Sequence, residues 1–179
     1  MCLLASPAAE CEHVLMADLA VGDLVLGREG ATTVVAVQHK AIDTVAEMLT
    51  FETADGAVSM TADHAIFADG KLVAATAVKV GSLLSTGAVK RIAKSEGAII
   101  NAVTADGTIV ADGILAASNP MWIASLTVDA PIMRAVVNAA LYAAGDVDTV
   151  AAGFGGVLAK LAATAAVAAL ALKARKASA

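Results

Sequence analysis

Between His13 and Asn119 the apolar and polar positions alternate in short runs that stop at Asp-Gly pairs. These pairs fall at 55–56, 69–70, 106–107 and 112–113, and Asp-Gly between β-branched or apolar runs is the strongest short-range hairpin signal. MLTFET (48–53) and AVSMT (57–61) flank the first pair, and AIINAVTA (98–105) and TIVA (108–111) flank the third. Each set predicts a hairpin. TTVVAVQHK (32–40) is a further strand by its β-branched content, with KLVAA (71–75) and AVKRI (88–92) as shorter candidates. No segment before 119 carries a helical pattern, so this portion is expected to be all-β.

A weak internal echo adds to that picture. AVGDLVLG (20–27) followed by TTVVAV matches VKVGSLLSTG (78–87) followed by AVKRI: a Val-Gly turn introduces one strand and a second strand follows shortly. A duplicated, pseudo-twofold β domain would produce such a pattern. After Pro120 the turn dipeptides cease. PIMRAVVNAALYAAGD (131–146) and the Ala/Leu/Val-rich run 150–176 are predicted helices. Within the second, 151–172 is interrupted by Lys160, diluted by Gly153, Gly155 and Gly156, and flanked by Lys173, Arg175 and Lys176. It is a marginal membrane-spanning candidate, and a helix buried on the domain or lying along a membrane surface is an equal reading. The expected division is a β domain over 1–125 and a hydrophobic helical tail over 126–179.

Composition narrows the partners. A net charge of −5, 16% charged residues and 3% aromatics, with no basic run before the last few positions, argue against nucleic acid. The mean hydropathy of +0.77 comes mostly from alanine and from the chain after Met133. Two cysteines, Cys2 and Cys11, make neither a disulfide framework nor a paired zinc spacing. A metal site built from Cys2, Cys11, His13, His39 and His64 would have no recognised ligand spacing, and no cofactor is indicated. The opening MCLLASPAAE lacks a basic n-region and a long enough apolar stretch for a signal peptide, so the localisation stays open.

The candidate chemistry lies at Thr61-Ala62-Asp63-His64, directly after a predicted strand. One turn there can aim a hydroxyl and an imidazole at a common point, to polarise a peptide carbonyl and protonate a departing amide nitrogen. A surface turn with incidental polar residues fits the same four letters. The blocks taken together say more: Cys2, MADLAVGDLVLG (16–27), VVAVQHK (34–40), SMTADHAIF (59–67), AVKVGSLLSTG (77–87) and VTADGTIVADGILAAS (103–118). In order, spacing and content they resemble the Hint domain of the Hedgehog C-terminal region, which is related to inteins. The resemblance covers residues 2–125.

It implies a pseudo-twofold all-β Hint fold with a C-terminal α-helical tail, and an autocatalytic, cysteine-dependent activity on the chain's own upstream polypeptide. Cys2 matches the family's nucleophile, which forms a thioester with the preceding residue by an N-to-S acyl shift. Cys11 competes for that role but stands only eleven residues before Gly22, against twenty for Cys2. Thr61 and His64 match the pair that activates the scissile amide. His39 falls, within a residue, where Hedgehog proteins carry a base that deprotonates the acceptor; an exposed strand-end histidine is the alternative. The acceptor would be water or a lipid alcohol such as a sterol. Where Hedgehog domains have a second cysteine this chain has Asn119, between Ser118 and Pro120, which disfavours splicing and leaves cleavage before Cys2. Because only Met1 precedes Cys2, the sequence is either the processing portion of a longer precursor or a standalone relic. A catalytically silent β module with a membrane-binding or oligomerising tail is the rival reading.

Overall fold

The computed structural model describes residues 2–4, 10–38 and 45–144. In chain order the strands are β1 (Cys2–Leu4), β2 (Cys11–His13), β3 (Leu24–Gly27), β4 (Gly30–Gln38), β5 (Val45–Glu52), β6 (Ala57–Thr61), β7 (His64–Ala68), β8 (Lys71–Ala74), β9 (Leu83–Leu84), β10 (Gly87–Ala88), β11 (Arg91–Ala98), β12 (Asn101–Thr104), β13 (Thr108–Ala111) and β14 (Ile114–Pro120). Helices α1 (Met121–Thr127) and α2 (Pro131–Ala144) follow, and short 3-10 turns cover Met16–Asp18 and Ala75–Ala77. Strands β12, β4, β3, β1 and β2 lie side by side in that order; β11, β5 and β6 form a second sheet, β13, β14, β7 and β8 a third, and β9 with β10 a ribbon. The expected all-β architecture with helices at its C-terminal end is what the chain adopts.

The alternation read from the sequence sets which side chains go inside. Leu49 and Phe51 of β5 and Val58 and Met60 of β6 are buried, while Thr50 and Ser59 between them meet on the outer face, hydroxyl to hydroxyl at 2.7 Å. With Ile66, Val89 and Ile114 these residues make one core; Leu19, Val25, Val34, Ala102 and Ile109 make another, and Ala111 packs against both. Fully burying a side chain the size of Phe51 stabilises the fold by about 2–3 kcal/mol.

The internal echo is a structural repeat. The Gly22 N–H donates to the Val34 carbonyl at 2.9 Å and the Val34 N–H to the Asp23 carbonyl at 2.8 Å; in the second copy Gly81 donates to Val89 at 2.8 Å and Val89 to Ser82 at 2.9 Å. Each copy follows a 3-10 turn, and the two glycines have φ of 99° and 95°, a left-handed conformation that glycine adopts at no steric cost.

Two of the Asp-Gly pairs close hairpins with left-handed backbone at both residues, Asp69-Gly70 between β7 and β8 and Asp112-Gly113 between β13 and β14, as a type I′ turn requires. Asp55-Gly56 closes the β5–β6 hairpin through a longer turn in which the Thr53 N–H meets the Gly56 carbonyl at 2.9 Å. Asp106-Gly107 departs from expectation. Its flanking strands do not pair with each other: β12 joins β4 and β13 joins β14. The Asp106 carboxylate accepts from the Thr108 N–H at 3.0 Å and the Thr108 hydroxyl at 2.8 Å, and its own N–H donates to the Thr32 hydroxyl at 3.2 Å. The turn is thereby a corner between sheets.

Helix α1 begins where Pro120 ends β14, and Ala124 and Val128 pack on Ala65 and Ala117. The line drawn after Ser125 passes through this helix. Helix α2 also rests on the β domain: Val137 is buried and the Asn138 amide donates to the Ala105 carbonyl at 2.9 Å. Among the described residues no helix is long and apolar enough to cross a membrane; the candidate span 151–172 lies outside them.

Candidate active site

Thr61 ends β6 and His64 opens β7, so the Thr-x-x-His segment is the tight link between two sheets. The His64 ring reaches across to β14, where its Nε2–H donates to the Ala117 carbonyl at 2.8 Å. A carbonyl only accepts, which fixes the proton on Nε2 and leaves Nδ1 as the nitrogen for proton transfer. Burial lowers the His64 pKa below its ordinary 6.5, against the opposing pull of the Ala117 hydrogen bond and the Asp63 carboxylate. Its ring is neutral at neutral pH.

Thr61 lies beside this imidazole, lining the same cavity of about 90 Å³, with Met48, Met60 and Asn101 among the other walls. Its hydroxyl donates to Asp63 Oδ1 at 2.9 Å. Asp63 therefore both orients Thr61 and acts on His64, a role for the third letter of the motif that the sequence reading did not assign. The end of β14 supplies the remaining polar groups. The Asn101 amide donates to the Ser118 carbonyl at 3.0 Å. Ser118 and Asn119 are both buried, and the Asn119 side-chain oxygen has no hydrogen-bond partner among the described residues. Asn101 could not be found from the sequence, because its partner is a backbone carbonyl seventeen residues away.

A second, open cavity of about 460 Å³ adjoins the first, sharing Met16, Val58, Ser59 and Ala111 with it and reaching His13. Cys2, in β1, stands opposite His13 in the β1–β2 ladder. The two cavities thus form one trough from the partner residue of Cys2 to His64 and Thr61. His39 lies outside the described residues. Cys11 is disulfide-bonded, although two cysteines gave no reason to expect a disulfide framework. Among the described residues no group of three or more His, Cys, Asp or Glu side chains is placed to hold a metal ion.

No protein-family model matches the chain, and no curated protein matches it. Solved structures do. A variant of the gp41-1 intein superposes with a TM-score of 0.54 at 17% identity, covering 65% of this chain and 94% of that one. The VidaL intein superposes with a TM-score of 0.50 at 17% identity, covering 65% of this chain and 88% of that one. At such identities the likeness is one of fold: the chain is built on the Hint scaffold of inteins.

Proposed function

We propose that the chain is an autoprocessing element that cleaves the peptide bond before Cys2. The observation that supports this reading best is the pairing of Thr61 and His64 in one cavity, the imidazole neutral and held at Nε2, on a Hint scaffold. In the first step Nδ1 of His64 takes the Cys2 thiol proton and the thiolate attacks the carbonyl carbon of the preceding residue. The carbon–nitrogen bond breaks, and Nδ1 returns the proton to the Cys2 amine. Thr61, turned by Asp63, orients the scissile amide. In the second step the oxygen of water or of a lipid alcohol such as a sterol attacks the thioester, His39 accepting its proton, and the Cys2 thiol departs. Nothing in this sequence of steps requires a cofactor.

The test is a reporter protein fused before Cys2. Release is expected with the native residues under reducing conditions and faster with hydroxylamine, which intercepts a thioester far more readily than an amide. Cys2→Ala abolishes it. His64→Ala and Thr61→Ala prevent thioester formation, while His39→Ala leaves it intact and slows only transfer to the acceptor. A fusion that releases nothing in reductant and hydroxylamine would make the domain a silent module, and a His39→Ala protein with both steps unchanged would remove His39 from the site.

A further inference from the structure

The open cavity between residues 13–16 and 57–59 has no part in the chemistry above, yet its position relative to β1 is specific. β1 pairs with β2 through Cys2 opposite His13, Leu3 opposite Glu12 and Leu4 opposite Cys11. Antiparallel register continues by one residue on each side. A chain extended upstream from Cys2 therefore brings its last residue opposite Val14 and the second-last opposite Leu15. Leu15 is itself extended, at φ −73° and ψ 149°, so the ladder can run that far before the 3-10 turn at Met16–Asp18. Those same residues form one wall of the cavity.

We propose that this cavity is the seat of the last two residues of the polypeptide upstream of Cys2, and that it selects for an apolar side chain at the second-last position. The inference rests on the autoprocessing reading for the identity of its occupant. Three observations carry it. The walls are mainly aliphatic, with His13, Ser59 and Asp112 as the polar members. Its volume of about 460 Å³ is within the roughly 300–1,000 Å³ of clefts that bind small ligands or short peptide segments. Leu15, opposite the second-last residue, is 71% exposed, an apolar side chain without cover where the register calls for a neighbour. Because the seat opens into the His64 cavity through Met16, Val58, Ser59 and Ala111, seating these residues also fixes the carbonyl to be attacked.

The experiment uses the full chain fused to a reporter whose second-last residue is Leu, Asp or Lys. With dithiothreitol, release is expected to be about tenfold faster for Leu than for Asp or Lys, the effect of burying one aliphatic side chain. Leu15→Lys, at an exposed position, should abolish the Leu preference and favour Asp over Lys; Ala57→Lys on the opposite wall should do the same. A second arm needs no chemistry. In Cys2→Ala fusions ending in Leu, the junction should resist subtilisin about tenfold longer than in the same fusion carrying Leu15→Lys. Equal digestion, or release indifferent to the second-last residue, overturns the seat. Protection of the junction in a chain that never cleaves supports the seat while removing the autoprocessing reading.

Discussion

Ser118 is the residue whose replacement tests the packing of the site most directly. It is fully buried at the end of β14, and its hydroxyl oxygen accepts the Thr104 N–H at 3.2 Å and bonds the Thr104 hydroxyl at 3.1 Å. Ser118→Ala removes one atom and strands a buried backbone N–H. The Thr104 hydroxyl keeps the Thr108 carbonyl at 2.7 Å, so one donor is orphaned and not two. An unsatisfied buried donor costs about 1–3 kcal/mol, and the small void left by the oxygen adds little. The expected loss is about 2 kcal/mol. In urea, with a slope of roughly 2 kcal/mol/M, the unfolding midpoint should fall by about 1 M with the slope unchanged. Far-ultraviolet circular dichroism and fluorescence of Trp122 report the same transition. A midpoint within about 0.2 M of the parent would mean that the Thr104 N–H finds another acceptor, and the buried Ser118–Thr104 link would not hold β14 to β12.

Four further outcomes are expected. With Cys11 disulfide-bonded and the proposed attack needing a free Cys2 thiolate, a reporter fusion kept oxidised should not cleave, and a phosphine reductant that is not itself a thiol should start cleavage. Cys11→Ala should cleave without any reductant; if it is dead instead, Cys11 is the nucleophile. The lowered pKa of His64 means that the unfolded chain binds more protons than the folded one just below the ordinary pKa of 6.5. Its contribution to stability is therefore full above pH 6.5 and falls as pH drops through that value; urea midpoints at pH 7.5 and 5.5 should differ more in the parent than in His64→Gln. A methyl group at Gly56 would run into the Asp112 carbonyl oxygen, so Gly56→Ala should cost about 1–3 kcal/mol, read as a lower Tm. Truncation after Ala144, which keeps both packed helices, should leave dithiothreitol cleavage intact while abolishing any sterol-dependent cleavage and vesicle binding; lipid responses that survive it would remove the tail from that role.

What was legible in the sequence was local. Asp69-Gly70 and Asp112-Gly113 announced their hairpins because the left-handed backbone of a type I′ turn is a property of the dipeptide itself. Asp106-Gly107 announced a turn equally well, but its strands found partners in β4 and β14, and no local signal carries that choice. Helix α2 was visible from 131 onward, whereas α1 was missed: its seven residues are too few for a periodic pattern, and packing on Ala65 and Ala117 decides its state. At the site, Thr61 and His64 could be named because they lie three residues apart on one turn. The Ala117 carbonyl that holds His64 has no side-chain identity to read. The direction of the Thr61 hydroxyl, toward Asp63, is a matter of rotamer.

The paired turns at Gly22 and Gly81 make the molecule a control for itself. The same left-handed glycine, with the same two backbone hydrogen bonds, is set once beside the core of Leu19, Val25 and Val34 and once beside that of Phe51, Ile66 and Val89. Space for a Cβ is open at both positions, so alanine at either would carry one and the same conformational penalty. Any difference between the two variants then measures the surroundings alone: how firmly each half of the repeat holds its own turn.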